Sequence, residues 1–467
     1  MTLDSQPART PFFQVRERLY PWKPNDGGIY RGRVMDPKVT AVQQKYQDLP
    51  ATVNDQWNFL LSRFWNQMIH LVIRFDGHID ETRLGYAVEM ATQAEPLVRM
   101  RFVEADPPLF TPLEGDRPVF SVAETEKPDE ALREILARPL DPVAGPMAYI
   151  GLIRSDHDLL VLSANHSATD AYGVKALGST IAWLYRTGGH GSLPGRNPHN
   201  RSFTSLFRLF PDEFREKAWK RFGEETVNWG LSDGTFRPCS PQYRVSIIPS
   251  GIVSAVKESA GGRGLTMNDV LLSSYIRSLI RLIPDTPAGD RAVLTTQDLR
   301  RYLPPDSLPG LANLSVAFEV PFKADRESSQ GAVLGEVHQA MDERKRGHAG
   351  IGAAEGLYRS FSSGYSVVRQ RLDELVRETR NDGLIRKPFF TNMGIIPESV
   401  LTFGLPDVTE AYMVPPLEYP PGLGIAASTS RGSLVLSSGY CGESFPAVCV
   451  DRILEGMTEE LRLFISS

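Results

Sequence analysis

The chain has 467 residues, of which 41% are hydrophobic and 23% charged, and its formal net charge is −5. That length predicts two or three domains, and those fractions are typical of a globular protein. The weak negative charge excludes the basic surface with which proteins bind nucleic acid or anionic membranes, so we expect small molecules or other proteins as partners.

Cysteine usage and hydropathy bear on the cellular compartment. The first residues lack the basic-then-apolar pattern of a signal peptide, and no stretch approaches the roughly 18 apolar residues needed to span a bilayer. Cys239, Cys441 and Cys449 form no CxxC spacing, which predicts unpaired thiols, a reducing compartment and a cytoplasmic protein. We also expect a monomer. His338 and His348 flank a charged run typical of a solvated helix face, so we expect no bound metal.

Strands and helices alternate in the front part of the chain. Branched residues at 68–77 predict a strand, and the apolar spacing at 80–96 predicts a helix. Residues 97–106 alternate apolar and basic side chains, as a half-exposed strand does. Residues 147–165 predict two strands around a turn at 155–158. Gly, Pro, Asn and Ser then cluster in the range 186–202, which predicts a seam between two domains, 1–195 and 196–467.

The back part has the same mixed character. Thr266 followed by Asp269 predicts the capping box of a helix over 267–283. The other predicted elements are strands at 291–298, 313–322 and 388–396, helices at 328–346, 365–380 and 447–464, a flexible hinge at the glycine-rich 350–356, and a hairpin within 425–441 that turns at Arg431-Gly432. The predicted class is therefore α/β or α+β.

One junction concentrates polar groups that can do chemistry. In LLVLSANHSATDAYGVKAL, residues 159–177, a buried strand ends at Asn165-His166, Asp170 follows, and an amphipathic helix begins. A neutral imidazole is the natural general base near pH 7, and loops between elements often carry such groups. Asp170 either accepts a hydrogen bond from the His166 ring, as in a catalytic triad, or caps the helix or pairs with a distant cation. The spacing leaves these alternatives open.

The surrounding motifs resemble those of the condensation-domain and CoA-dependent acyltransferase superfamily, which includes the BAHD acyltransferases and chloramphenicol acetyltransferase. Its HxxxD signature, often HHxxxDG, stands here as NHSATDA. HLVIRFDGHIDETRL and EPLVRMRFVE resemble the opening strands of the family, and LTMNDVLLSSYIRSL the helix that opens its second half. TTQDLRRYLP resembles its Asp-x-Arg segment, and FFTNMGIIP its crossing strand. The resemblance covers roughly residues 50–460.

The resemblance implies two chloramphenicol acetyltransferase-like subdomains in a V, with a tunnel between them and His166 at its midpoint. His166 would be the general base that activates a hydroxyl or amine for attack on an acyl thioester. Asp170 would pair with Arg300 and support the loop, with Arg301 a less favoured partner. No bound cofactor is implied; the co-substrate would be acyl-CoA or a phosphopantetheinyl carrier protein, and the acceptor a small molecule, in natural product biosynthesis.

Some positions depart from the family pattern. Asn165 replaces the first His of the doublet, and Ala171 replaces the Gly after the Asp, with Gly173 two residues later. These three residues and Asn392 are the candidates to line the tunnel. The late DFGWG motif of the family is at best hinted at by LTFGLPD, residues 401–407, which argues against a true BAHD enzyme and favours the condensation-like or small-molecule acyltransferase branch. The alternatives are a non-catalytic docking module for a carrier protein, motivated by Ala171, and a same-fold enzyme of cyclisation, dehydration or epimerisation.

Overall fold

The computed structural model describes residues 47–115, 117–190, 201–221, 229–230, 239–283, 290–305, 308–382, 387–420 and 422–467. The strands in these ranges are β1 (Leu49–Pro50), β2 (Trp65–Asn66), β3 (Met68–Phe75), β4 (Met100–Val103), β5 (Leu109–Pro112), β6 (Phe120–Glu124), β7 (Ala148–Arg154), β8 (Leu159–Asn165), β9 (Pro241–Ile248), β10 (Arg291–Asp298), β11 (Ser315–Phe322), β12 (Phe389–Ile395), β13 (Val408–Val414), β14 (Leu417–Glu418), β15 (Gly424–Ser430) and β16 (Ser433–Cys441). The helices are α1 (Val53–Leu61), α2 (Glu81–Ala94), α3 (Pro128–Ala137), α4 (Ala171–Thr187), α5 (Thr204–Phe207), α6 (Asp212–Arg221), α7 (Ser250–Gly262), α8 (Met267–Leu282), α9 (Gln330–Arg346), α10 (Ala349–Ser360), α11 (Tyr365–Asp382), α12 (Glu398–Leu401) and α13 (Ala447–Ser466).

A five-stranded sheet in the order β13-β3-β8-β7-β6 carries the candidate site. All its neighbours are antiparallel except the parallel pair β6 and β7. Every residue of β8 is buried, which explains its unbroken apolar run, because a central strand is covered on both faces. The residues that follow β8, which include His166, therefore leave the sheet at its middle strand.

A second sheet of six strands lies in the back part of the chain, in the order β11-β10-β12-β15-β16-β9. β12 runs parallel to β10 and to β15, and the remaining pairs are antiparallel. Its ladder with β15 shifts register between Asn392 and Ile395, so β12 has a bulge there. The predicted mixed α/β class is confirmed.

The two parts of the chain are joined by a late strand. β13 pairs antiparallel with β3, with Ala411 opposite Ile73, so a segment of the back part completes the first sheet. A separate apolar cluster joins side chains from both sheets, including Val72 and Val435, and the Tyr243 hydroxyl donates to the Leu136 carbonyl at 2.6 Å. The predicted boundary between residues 195 and 196 lies outside the described residues.

Most predicted elements are confirmed, including the capping box, in which the Asp269 amide donates to Thr266 Oγ1 at 3.3 Å. The hairpin does turn at Arg431-Gly432, both with positive φ (46° and 85°), as a two-residue turn requires. The predicted strand at 97–106 is shorter, because Pro96 starts a 3-10 helix that delays β4.

The predicted hinge at 350–356 was wrong, since these residues lie within α10. Their glycines serve close packing: a Cβ at Gly352 would lie 2.7 Å from the backbone of Ala218 in α6. Small residues thus let two helices approach each other closely, which explains the composition without any hinge.

The prediction of three unpaired thiols was also wrong. Cys239 and Cys441 form a disulfide with Cα atoms 4.8 Å apart, and Cys449 is free. The sequence does not reveal this disulfide, because 202 residues separate the two cysteines. In the sheet, Cys441 lies opposite Pro241, which brings Cys239 alongside. The disulfide removes the argument for a reducing compartment that rested on free thiols.

Candidate active site

The motif loop between β8 and α4 is held at its first residues by backbone and amide contacts. The Asn165 side chain donates to the Leu140 carbonyl at 3.1 Å and accepts from the amide of Ser167 at 3.0 Å. The His166 amide donates to the Gln67 carbonyl at 2.7 Å. These bonds fix the backbone of His166 where the buried strand ends.

Asp170 has several partners at once. Its Oδ1 accepts from the Gly173 amide at 3.2 Å, which makes it the N-cap of α4. Its Oδ2 accepts from Arg300 Nη1 at 2.7 Å and from the Leu314 amide at 2.8 Å. Of the alternatives left open by the sequence, the structure therefore combines the cap and the distant cation. The ring of His166 bonds elsewhere, so the arrangement is not a triad.

Arg300 and Asp170 form a buried ion pair, with 3% and 4% of their side chains exposed. Arg300 also donates to Asp298 Oδ1 at 3.1 Å and lies over the Tyr172 ring, 4.5 Å from its centroid. Burial alone would raise the pKa of Asp170, but the charge and hydrogen bond of Arg300 lower it. Arg301, the less favoured candidate, is exposed.

His166 is held by a second side chain. Its Nδ1 lies 2.9 Å from Asn313 Nδ2, and the same amide nitrogen donates to the His166 carbonyl at 2.8 Å. Burial lowers the pKa of His166 against the opposing charge of Asp170, so the neutral ring is favoured near pH 7. The side chain is only half-buried by its accessible surface. The imidazole is thus desolvated while part of the residue stays exposed to solvent.

Segment 310–314 of the back part holds the motif loop along its length. The Ala312 carbonyl accepts from the Asp170 amide at 3.2 Å, from Thr169 Oγ1 at 3.3 Å and from Arg300 Nη2 at 2.8 Å. Glu95 accepts from the Leu311 amide at 3.1 Å. Residues from both parts of the chain are thus needed to shape the loop that carries His166.

Sequence reasoning missed a second buried ion pair. Arg201 Nη2 lies 3.0 Å from Asp55 Oδ2, with 8% and 0% of the two side chains exposed. Arg201 also donates to the Leu311 carbonyl at 3.0 Å and to the Ala168 carbonyl at 3.5 Å. Burial raises the pKa of Asp55, and the charge of Arg201 opposes this. The sequence signal was weak, because Arg201 is one of three arginines in the Gly- and Pro-rich seam.

The tunnel candidates have other contacts. Asn165 is buried, and its side-chain amide donates to the Leu140 carbonyl and accepts from Ser167. Gly173 packs closely against Thr169, because a Cβ at Gly173 would lie 1.9 Å from Thr169 Oγ1. These two residues shape the loop instead of lining an open path. Ala171 begins α4 and packs against the apolar core of the front part, so its methyl group is accommodated.

Asn392 remains a candidate on the crossing strand. Its Oδ1 accepts from the Gly394 amide at 2.9 Å, next to the bulge of β12. Lys175 of α4 donates to the Met393 carbonyl at 2.6 Å and so ties this strand to the helix after the motif. Asn392 itself is half-buried.

Two further properties concern the described residues alone. They contain no group of three or more His, Cys, Asp or Glu side chains that could hold a metal ion. Within the same ranges, no helix has the length and apolarity required to cross a lipid bilayer.

Known structures share this fold. The first condensation domain of the calcium-dependent antibiotic synthetase aligns with a TM-score of 0.67 and 15% identity, over 89% of this chain and 97% of that one. The TRI3 trichothecene 15-O-acetyltransferase from Fusarium sporotrichioides aligns with a TM-score of 0.67 and 12% identity, over 96% and 99%. The EpoB cyclization-docking bidomain from Sorangium cellulosum gives 0.64 and 16%, over 99% and 94%.

The chain therefore has the fold of condensation domains and related acyltransferases, with chloramphenicol acetyltransferase-like subdomains, and the resemblance predicted from the motifs is confirmed at the level of the fold. By sequence, no family model and no curated protein matches the chain.

Proposed function

We propose that this protein transfers an acyl group from a thioester to the amine or hydroxyl of a small molecule, and that the His166 imidazole is the catalytic group. The donor would be acyl-CoA or an acyl chain on a carrier protein. The observation that carries the proposal is a half-buried imidazole, with a pKa lowered by burial, on a loop clamped between the two parts of the chain.

This reaction requires the catalytic group to be held rigidly. Attack on a thioester carbonyl is accelerated when the catalytic group is held in one geometry and water is kept out. The Asp170–Arg300 pair and segment 310–314 supply that rigidity without touching the reacting atoms. Asp170 and Arg300 would therefore be positioning residues.

The experiment incubates the purified protein with acyl-CoA or acyl-carrier donors and with acceptors offered as matched amines and alcohols. Products are identified by mass spectrometry. His166→Ala should lose transfer by about 10²–10³-fold, the range for removal of one preorganised active-site group, while its unfolding midpoint stays near that of the wild type. His157→Ala, an exposed histidine in the turn before β8, is the matched control and should keep full activity. Full activity of His166→Ala would refute the proposal.

The other functions of this fold are separate outcomes of the same experiment. Tight carrier binding without turnover over the whole panel would indicate a docking module. A product with a new ring, a lost water or an inverted centre would indicate cyclisation, dehydration or epimerisation. The structural neighbours include an epimerization domain of tyrocidine synthetase B and a cyclization domain, which share only the fold with this chain.

A further inference from the structure

Arg201 is a buried cation beside the motif loop, and its guanidinium contacts four separate segments of the chain. Nη2 donates to Asp55 Oδ2 of α1 at 3.0 Å and to the Ala168 carbonyl of the motif loop at 3.5 Å. Nε donates to the Leu311 carbonyl at 3.0 Å, and the guanidinium carbon lies 5.4 Å from the centroid of the Phe110 ring in β5. Only 8% of the Arg201 side chain is exposed, so these contacts replace water around its charge.

The local structure of α1 fixes the carboxylate that Arg201 binds. Asp55 is the third residue of the helix, and its Oδ2 accepts from the Thr52 amide at 2.8 Å. The Asp55 amide donates in return to Thr52 Oγ1 at 3.2 Å, which completes a capping box. Because the Asp55 side chain is fully buried, it offers Arg201 a carboxylate in one defined place.

The motif loop thus meets two buried arginines. Arg300 binds Asp170, at the end of the loop where α4 begins, whereas Arg201 reaches Ala168 in the middle of the loop. The two arginines also bind neighbouring carbonyls of segment 310–314. That segment therefore cannot shift against the loop without breaking hydrogen bonds to both of them.

The same segment holds the ring of His166. Asn313 Nδ2 lies 2.9 Å from His166 Nδ1 and donates to the His166 carbonyl at 2.8 Å. A displacement of segment 310–314 would therefore move the imidazole as well. Misplacement of a catalytic group by about 1 Å can cost on the order of a hundredfold in rate.

We propose that Arg201, paired with Asp55, is a positioning residue for His166, because it holds the middle of the motif loop and segment 310–314 in one geometry. This inference rests on the proposed acyl transfer and gives the pair a part in the rate of the reaction as well as in stability. Lysine cannot replace Arg201 in this role, since a single ammonium group lacks the planar fork that reaches a carboxylate and two carbonyls at once.

Arg201→Lys is the test variant, because it keeps a positive charge opposite Asp55 and so preserves the fold. Its kcat for acyl transfer should fall by about ten- to a hundredfold, the cost of a misplaced catalytic group. KM should stay within about twofold of the wild type, since Arg201 is buried and acts only through the position of His166. The acceptors and donors are those of the panel described above.

Arg215→Lys is the matched control. Arg215 is also largely buried, donates to Glu355 Oε2 at 2.8 Å and to the Phe210 carbonyl at 2.8 Å, and lies 4.5 Å from the centroid of the Phe207 ring. These partners belong to α5, α10 and the turn after α5, and none of them is in the motif loop or segment 310–314. Arg215→Lys should therefore lower the urea midpoint to a similar extent as Arg201→Lys and keep the wild-type kcat.

The position of the ring can also be followed without any substrate. Burial is the largest influence on the pKa of His166 and holds it below its ordinary value of 6.5. A loop released by Arg201→Lys admits water to the imidazole, so the pKa of His166 should rise toward 6.5 in this variant. The pKa should not change in Arg215→Lys. An NMR titration of the histidine rings, assigned with the His166→Ala spectrum, measures both.

Loss of kcat together with a raised pKa of His166 in Arg201→Lys supports the inference. Wild-type kcat or an unchanged pKa of His166 in the folded variant overturns it, and so does an equal loss of kcat in Arg215→Lys. Asp55→Asn, a change of similar shape that weakens the same pair, is the second variant if Arg201→Lys does not fold, and the same criteria apply to it. If the wild type transfers no acyl group, the proposed function is refuted, while the titration still decides whether Arg201 positions the ring.

Discussion

Removal of the Asp170 carboxylate should weaken the fold strongly. In Asp170→Ala, the buried Arg300 would keep its charge with only Asp298, whose side chain is 44% exposed, as its remaining carboxylate. Leaving one partner of a buried ion pair uncompensated costs about 3–5 kcal/mol of unfolding free energy. The Leu314 amide and the first turn of α4 also lose their acceptor, and the cost of these two losses is already part of the total for removing the carboxylate.

The assay is urea denaturation followed by far-UV circular dichroism and by tryptophan fluorescence, since coincident transitions are needed before a free energy is assigned to a chain of this size. Arg301→Ala removes a neighbouring exposed arginine and is the matched control, expected within about 0.5 kcal/mol of the wild type. Asp170→Asn keeps an acceptor for the helix cap and should lie between the two.

The sign of the pH dependence follows from the lowered pKa of Asp170. A carboxyl whose folded pKa is depressed stabilises the fold above its ordinary value of 3.8, and this stabilisation is lost as pH falls through the folded pKa. The difference between wild type and Asp170→Ala should therefore be constant at neutral pH and shrink only in acid. Equal midpoints for Asp170→Ala and Arg301→Ala at pH 7 would refute the reasoning about a buried pair.

Three further predictions can be tested by the same denaturation assay. Burial lowers the pKa of His70 from 6.5 to about 3, so this histidine is protonated in the unfolded chain at a higher pH than in the folded protein. As pH falls from 6.5 to about 3, protonation of His70 should therefore lower the unfolding free energy by about 4–5 kcal/mol. A His70→Leu variant that is equally acid-sensitive would contradict this. Gly173→Ala should destabilise the protein because its Cβ meets Thr169, whereas Gly335→Ala, in open space on α9, should stabilise it by about 0.5–1 kcal/mol; equal effects would argue against the close approach. Arg201→Ala should cost about 3–5 kcal/mol, and a change below about 1 kcal/mol would show that its pair with Asp55 contributes little.

The elements of this fold could be predicted well because their signals are local. The capping box at Thr266 and Asp269 needs four residues, and the turn at Arg431-Gly432 needs two. His166 and Asp170 were also within reach, since strand, loop and helix follow one another directly. Their partner Arg300 lies 130 residues away and was found only through a family motif.

The missed residues depend on tertiary neighbours. Asn313 meets His166 across 147 positions, and Arg201 meets Asp55 across 146. Neither residue stands out by itself, because asparagine and arginine are common and their function here comes from the carbonyls and rings that topology brings beside them. The same holds for the disulfide of Cys239 and Cys441, which requires β9 to lie beside β16.

The pairing of the late strand β13 with β3 determines which fragments of the protein can be produced separately. A fragment that ends at residue 195 would retain β3 but not the partner that covers its outer edge, and it would also lack α11, whose apolar side chains complete the same core. Unpaired backbone groups along a long apolar edge recruit strands from other molecules. Separate production of the predicted front domain should therefore give aggregated protein, and tags or fusions belong outside the span from β3 to β13.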